Sequence, residues 1–193
     1  MCFQALAIPV ITIIAGPNGA GKTTFAFKHF EEMVRSGLFL NADEIAKKLS
    51  SKNLQSSAMQ AGRKLLEQRF QFIEAGKSFV IESTLATRTL EVALRTAKTH
   101  GFKIILYYLW VSTPTLCDFR VKDRVSKGGH NIPLNIILRR YFVSAKYFKA
   151  YFEMADEVYI YSADALPTLI AAKKESSLII ENPHVWECTG LLK

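Results

Sequence analysis

The fold of this 193-residue chain is constrained most by one short glycine-rich run, Gly16-Pro17-Asn18-Gly19-Ala20-Gly21-Lys22-Thr23-Thr24. The run fits the pattern G-x-x-x-x-G-K-[ST] without a mismatch. An apolar segment, residues 8–15, precedes it, and a helix predicted over residues 21–36 follows it. In such a strand–loop–helix unit, backbone N–H groups and the positive helix N-terminus point at one place. The sequence therefore predicts a P-loop that binds the triphosphate of ATP or GTP.

Two side chains of the run have predicted roles beyond those of the backbone. Lys22 is long enough to reach the β- and γ-phosphates, and the Thr23 hydroxyl is placed to coordinate Mg²⁺. All of the residues in the run are predicted nucleotide contacts. The expected cofactors are thus Mg²⁺ and a nucleoside triphosphate that donates the phosphoryl group.

The rest of the chain alternates strand-like apolar runs with segments of helical periodicity. Strands are predicted at residues 8–15, 38–40, 79–81, 103–111 and 157–161, with a further edge strand at residues 178–180. This alternation is typical of an α/β domain with a mainly parallel sheet flanked by helices. No linker or repeat interrupts the pattern, so we expect one domain over residues 1–193.

Composition narrows the class of protein. Cys2, Cys117 and Cys188 are scattered without a C-x-x-C spacing, which argues against a disulfide framework and a zinc site and favours a reducing, cytoplasmic location. No apolar run approaches the roughly 20 residues of a membrane-spanning helix, so a soluble protein is expected. The net charge of +8 favours anionic partners such as nucleotides, sugar phosphates, nucleic acid or an acidic protein, or it reflects a solvated basic surface.

Two carboxylates are predicted to face the P-loop. Asp43 and Glu82 each follow directly on a predicted strand, and ligands of a parallel α/β sheet bind beyond the carboxyl ends of its strands. A carboxylate there holds Mg²⁺ through water or accepts the proton of a hydroxyl that attacks the γ-phosphate. The alternative for Asp43 is a helix cap. Ser83 and Thr84 either add hydroxyls to the same pocket or cap the following helix.

Several arginines lie in the predicted helices over residues 113–125 and 133–154. Positive charge over the transferring group supplies much of the catalysis of phosphoryl transfer. Arg120 and Arg124 are four residues apart and share a helix face. In the second helix, Arg140 borders the core stripe and Arg139 lies nearly opposite it; the stripe is formed by Ile137, Tyr141, Ala145, Phe148 and Phe152. Arg140 is therefore the better candidate, and a solvated helix face is the alternative for Arg124.

The loop between those two helices completes a predicted lid, residues 117–141. Gly128 and Gly129 give this connection freedom to move. His130 either contacts a phosphate or shapes the loop through a hydrogen bond, and its spacing does not decide between the two.

Five segments together resemble the zeta-toxin-like family of P-loop kinases, including its chromosomal members often labelled ABC-type ATPases. They read AGPNGAGKTT, LNADEIA, VIESTLA, RVKDRVSKGGHNIP and ILRRY. The resemblance covers roughly residues 8–165 and implies a nucleoside-kinase-like core with a helical lid. The founding members phosphorylate the 3′-hydroxyl of UDP-N-acetylglucosamine, so a small hydroxylated acceptor such as a nucleotide sugar, and an antitoxin protein as partner, are what the resemblance suggests.

The resemblance also implies roles for individual residues. Lys22 matches the phosphate lysine and Asp43 the catalytic base. The acceptor segment corresponds to Glu82, Ser83 and Thr84, and the lid arginines correspond to Arg120, Arg124 and Arg140. The chain departs from the family in lid length and at the base-binding loop, where Tyr161 replaces the usual asparagine before Ser162.

Two other functions compete with a small-molecule kinase. A regulatory ATPase would use hydrolysis to drive a partner, but the chain has neither an LSGGQ-like signature nor the apolar run followed by Asp-Glu of ATPase motors. A polynucleotide 5′-kinase is suggested by the net charge. The sequence offers no interleaved aromatic and basic residues for stacking bases and no long block of lysine or arginine, so nucleic acid is not the expected partner.

Overall fold

The computed structural model describes residues 7–49, 54–129, 131–175 and 177–192. Within those ranges the strands are β1 (Val10–Ala15), β2 (Phe39–Leu40), β3 (Phe79–Ser83), β4 (Lys103–Trp110), β5 (Glu157–Ser162), β6 (Thr168–Lys174) and β7 (Ser177–Ile180). The helices are α1 (Lys22–His29), α2 (Glu31–Arg35), α3 (Ala42–Leu49), α4 (Leu54–Glu74), α5 (Thr89–Thr99), α6 (Pro114–Ser126), α7 (Leu134–Met154) and α8 (Pro183–Thr189).

The strands form one mixed sheet in the order β2-β3-β1-β4-β5-β6-β7. The first five strands in this order, β2, β3, β1, β4 and β5, are parallel to one another. β6 and β7 add an antiparallel edge. The predicted α/β fold with a mainly parallel sheet is thereby confirmed. Because β1 lies between β3 and β4, the P-loop that follows it opens next to the carboxyl ends of both neighbours.

Helices cover both faces of the sheet, which is why the central strands are apolar on both sides. Alternate residues of β1 enter opposite layers: Ile11 and Ile13 pack with residues of α5 and α7, whereas Ile14 packs with α1 and α6. The second layer includes Phe25 of α1 and Cys117 of α6, both buried. The P-loop and the start of the predicted lid are therefore built on the same core.

The prediction of a single helix over residues 21–36 is wrong in one respect, because the structure divides this segment into α1 and α2. Phe30 breaks it with φ −132° and ψ 36°, while its N–H still donates to the Ala26 carbonyl. The ring of Phe30 packs edge-on against Tyr107 with centroids 5.5 Å apart. That tertiary contact has no local sequence signal. The predicted end of this segment is confirmed, since Gly37 takes φ 73° after α2.

The C-terminal part holds two elements that the sequence analysis missed. β6 pairs antiparallel with β5, and α8 begins after Asn182, whose side chain accepts from the Val185 N–H. On β6, the Lys173 Nζ donates to the carbonyls of Phe152 and Ala155 at 2.8 Å each, which joins the antiparallel edge to the end of α7. In the parts of the chain that the structure describes, no helix is both long and apolar enough to cross a membrane.

Candidate active site

The P-loop has a backbone that requires glycine at particular positions. Gly16, Gly19 and Gly21 have φ of 142°, 78° and 82°, values that other residues rarely adopt. A Cβ at Gly16 would collide with the carbonyl oxygen of Leu109, and one at Gly19 would lie 2.6 Å from the carbonyl oxygen of Cys117. The loop is thus held close to β4 on one side and to α6 on the other.

Lys22 is a buried cation at the centre of this loop. Its side chain is 6% exposed, and its Nζ donates to the Pro17 carbonyl at 2.8 Å. Burial lowers the pKa of Lys22, an effect that the negative charges of Glu82 and Asp43 oppose. An anion in the loop would favour the protonated lysine further, as the β- and γ-phosphates would.

Glu82 connects the P-loop to the start of α3. Its carboxylate accepts from the Thr23 hydroxyl at 2.7 Å and from the Asn41 side-chain amide at 2.5 Å. The Lys22 Nζ lies 3.8 Å from the other carboxylate oxygen. The paired hydroxyl and carboxylate oxygens of Thr23 and Glu82 are ligands that Mg²⁺ prefers, directly or through water, so these residues fit the ion.

Asn41 is a site residue that the sequence analysis missed. Its Oδ1 accepts from the N–H groups of Asp43 at 2.8 Å and Glu44 at 3.0 Å, so Asn41 caps α3. The alternative that Asp43 is the cap is therefore wrong. Asn41 was detectable, because asparagine just before a helix is a favoured cap. With capping supplied by its neighbour, the exposed Asp43 carboxylate is left for other contacts.

A cavity of about 1080 Å³ opens over the P-loop and brings the predicted charged residues together. Its lining includes Asp43 of α3, Glu82 of β3, and Arg120 and Arg124 of α6. It also includes residues that the sequence analysis did not select, namely Lys47, Val121, Asp123, Lys127 and Asn131.

Gly16, Pro17 and Ala20 of the P-loop lie outside that lining. Among the predicted residues from other segments, three within the described ranges also lie outside it. They are Ser83, Thr84 and Arg140. The Ser83 hydroxyl accepts from the Leu85 N–H at 3.0 Å, so it stabilises the turn after β3. That contact gives Ser83 a local structural role, but it is not the predicted helix cap, because α5 begins at Thr89 with Arg88 as its N-cap.

Arg120 is bound to backbone carbonyls of two loops. Its guanidinium donates to Ala163 at 2.6 Å, to Asp164 at 2.7 Å and to Gly19 at 3.4 Å. Arg120 therefore joins α6 to the P-loop and to the loop after β5. Arg124, four residues further along the helix, lines the cavity.

Arg140 and Arg139 lie on different faces of α7, as the helical phase predicts. Arg140 is half-buried and donates to the Asn18 side-chain oxygen at 3.3 Å, whereas Arg139 is exposed. Burial lowers the pKa of Arg140, the charge of Arg139 adds to this, and Asp43 opposes it. Arg140 thus reaches the P-loop from α7.

The predicted lid corresponds to most of α6, the connecting loop and the beginning of α7. Gly128 and Gly129 line the cavity, and a Cβ at Gly129 would lie 2.8 Å from the carbonyl oxygen of Arg124. The loop is therefore folded back closely on the end of α6. His130 lies outside the described residues.

Comparison with known proteins agrees with the fold and the P-loop. The sequence profile of the family described as "AAA domain" matches residues 11–155, which is more than half of the chain. The chain belongs to this family. A protein from Haemophilus influenzae strain Rd, described as uncharacterized, is 31% identical over 126 residues, which cover 65% of this chain and 88% of that protein.

Two solved structures share the architecture at low sequence identity. A chain of the AvrRxo1-ORF1:AvrRxo1-ORF2 complex with ATP matches with a TM-score of 0.74 at 16% identity, covering 94% of this chain and 63% of that one. The PezAT toxin–antitoxin system of Streptococcus pneumoniae matches with a TM-score of 0.63 at 16% identity, covering 96% and 80%. The chain thus has a P-loop fold also found in toxin–antitoxin proteins, and it spans less than two thirds of the AvrRxo1 chain.

Proposed function

We propose that the protein is a kinase that transfers the γ-phosphoryl group of ATP or GTP to a hydroxyl of a small acceptor. The observation that carries the proposal is the position of Asp43, which shares one cavity with Lys22, Thr23 and Glu82. A base near the γ-phosphate suits a kinase, because the acceptor hydroxyl loses its proton as it attacks.

In this proposal the P-loop N–H groups and Lys22 bind the triphosphate. Mg²⁺, held at Thr23 with Glu82 beside it, supplies positive charge to the β- and γ-phosphate oxygens when bound. The acceptor oxygen bonds to the γ-phosphorus, the bond from that phosphorus to the bridging oxygen breaks, and Asp43 takes the hydroxyl proton. Arg124 and Arg140 stabilise the charge that develops on the transferring group.

The size of the cavity supports two substrates. Pockets for a single small molecule usually measure about 300–1,000 Å³, and this cavity slightly exceeds that range at about 1080 Å³. Resemblance to the zeta-toxin-like kinases makes UDP-N-acetylglucosamine one acceptor to test. The toxin–antitoxin neighbours likewise make an antitoxin protein a partner to test.

The decisive experiment is incubation with γ-labelled ATP, Mg²⁺ and a panel of nucleotide sugars, nucleosides and oligonucleotides. Label on a small hydroxylated compound, lost with Asp43→Asn, supports the kinase. Label released only as inorganic phosphate would indicate an ATPase instead, and label on oligonucleotide 5′ ends would indicate a polynucleotide kinase.

A further inference from the structure

The cavity holds positive charges that the proposed phosphate chemistry does not use. Its cationic lining residues are Lys22, Lys47, Arg120, Arg124 and Lys127. Lys22 belongs to the P-loop, and the arginines lie on α6 beside it. Lys127 lies 2.7 Å from Asp123, which also lines the cavity, so that pair adds little net charge there.

Lys47 differs from Lys127 in the position of its partner. Its Nζ lies 2.6 Å from a carboxylate oxygen of Glu44, which is not part of the cavity lining. Lys47 therefore presents a cation to the cavity whose compensating charge lies outside. The side chain of Lys47 is 68% exposed, and an ion pair of this kind within one helix is weak because water screens it. An anionic ligand can readily replace Glu44.

The position of Lys47 relative to Asp43 gives its charge a use. The two residues are four apart on α3, so they lie on one helix face, about 6 Å apart along the axis. Asp43 is in the first turn, beside the P-loop, and Lys47 is one turn farther away. A molecule whose hydroxyl meets Asp43 would extend past Lys47.

We propose that Lys47 selects the acceptor by charge, binding an anionic group located about one helical turn from the hydroxyl that is phosphorylated. This inference rests on the proposed kinase function and narrows its substrate class to hydroxylated acceptors that carry a phosphate or a carboxylate. Lysine serves as a point charge for such groups.

The test compares matched acceptors that share one skeleton and differ in charge. Suitable sets are a nucleoside with its 5′-monophosphate, and a neutral sugar with its sugar phosphate and its uronic acid. For each compound, kcat and KM are measured at saturating ATP, and the Kd is measured by titration calorimetry. We expect the anionic compound of each set to have a lower KM and Kd than the neutral one. Comparison of the sugar phosphate with the uronic acid identifies which anion is preferred.

The variants are Lys47→Ala, Lys47→Arg and the matched control Lys48→Ala. Lys48 is the adjacent exposed lysine, about 100° around the helix and outside the cavity lining. Because Lys47 is largely exposed, water screens its contact with an anion, so Lys47→Ala should raise the KM of the anionic acceptor by about fivefold. The KM for the neutral acceptor and for ATP should change less than about twofold, and Lys47→Arg should retain the selectivity.

Several outcomes would overturn the inference. If Lys47→Ala raises the KM of neutral and anionic acceptors equally, Lys47 has a structural role. If Lys48→Ala raises the KM of the anionic acceptor as much as Lys47→Ala does, the effect comes from the overall positive charge of the surface. Absence of any preference in wild-type Kd values would also refute it. Phosphorylation of neutral and anionic acceptors with equal KM would refute selection by charge and leave the kinase proposal intact, whereas an anionic compound that binds through Lys47 but is never phosphorylated would refute both.

Discussion

The two sides of the cavity are held in place by different interactions. The inner wall, formed by the P-loop with Asn41 and Glu82, is buried or half-buried at most positions and internally hydrogen-bonded, and its Lys22 is 6% exposed. The outer wall is formed by Lys47 of α3, Asp123 of α6 and Lys127 directly after α6, and its ion pairs join exposed lysines to carboxylates three or four residues away. Buried hydrogen bonds define one geometry, whereas exposed pairs exchange easily. We infer that the inner wall fixes the triphosphate and the outer wall adapts to the acceptor.

The largest effect is expected at the centre of the inner wall. Lys22→Ala should lower turnover by about 10³-fold or more and weaken ATP binding strongly, because it removes the cation within reach of the β- and γ-oxygens. Product formation and ATP titration measure both quantities, with circular dichroism to verify the fold. Lys28→Ala, an exposed lysine of α1, is the control. Near-normal turnover in folded Lys22→Ala would refute the assignment of the P-loop.

A change at Asp43, between the two walls, should separate catalysis from binding. Asp43→Asn should lower kcat by about 10²-fold or more, the usual scale for loss of a general base, while ATP affinity stays within a small factor. Steady-state kinetics and ATP titration test this. If ATP affinity falls along with kcat, Asp43 acts on the metal or the structure. Asp43 would then belong to the inner wall, which binds the triphosphate.

Arg140 tests whether α7 contributes to the inner wall. Arg140→Ala should lower turnover by about 10²-fold with a modest change in ATP affinity, since an electrostatic donor acts mainly on developing charge. Arg139→Ala should lower turnover much less, because the Arg139 side chain is exposed on another face of α7. Both variants are compared at saturating ATP. Equal losses, or a larger loss with Arg139→Ala, would contradict the lid as proposed.

The smallest effects concern stability and compare the two walls directly. Asn41→Ala removes a helix cap and a hydrogen bond to Glu82, so the free energy of unfolding should fall by about 1–2 kcal/mol. Asp123→Ala removes only the exposed pair with Lys127 and should cost no more than about 0.5 kcal/mol. Urea denaturation measures both. Similar losses would show that the outer wall is not held more weakly than the inner one.

The inner wall was largely predictable from sequence because its signals are local. The glycine spacing of the P-loop, the apolar strand before it, and the carboxylates at the ends of the apolar runs of β2 and β3 all depend on neighbouring residues alone, although Glu82 itself lies within β3. Their positions at one sheet edge follow from the parallel topology. The helical phase that distinguishes Arg140 from Arg139 is also local, and the structure confirms it.

What the sequence could not provide depends on contacts between distant segments. The spacing of Arg120 and Arg124 gives a shared face, but not the backbone carbonyls of Ala163 and Asp164 that bind Arg120. Likewise, the break at Phe30 coincides with packing against Tyr107, more than seventy residues away. The four-residue spacing of Lys47 from Asp43 was a local signal that was overlooked, but its position in the cavity lining depends on the tertiary fold. The catalytic roles of the arginines remain predictions.

The close approach of Gly19 to Cys117 has a consequence for mutational tolerance. Gly19 occupies a variable position of the P-loop pattern, where a comparison of motifs alone would allow many residues. Here its φ of 78° and the backbone of α6 leave no space for a methyl group. A Gly19→Ala substitution would have to displace the first turns of α6, and the arginines of that helix would move with it. A variant that retains every residue required by the motif could therefore bind nucleotide and still lose activity.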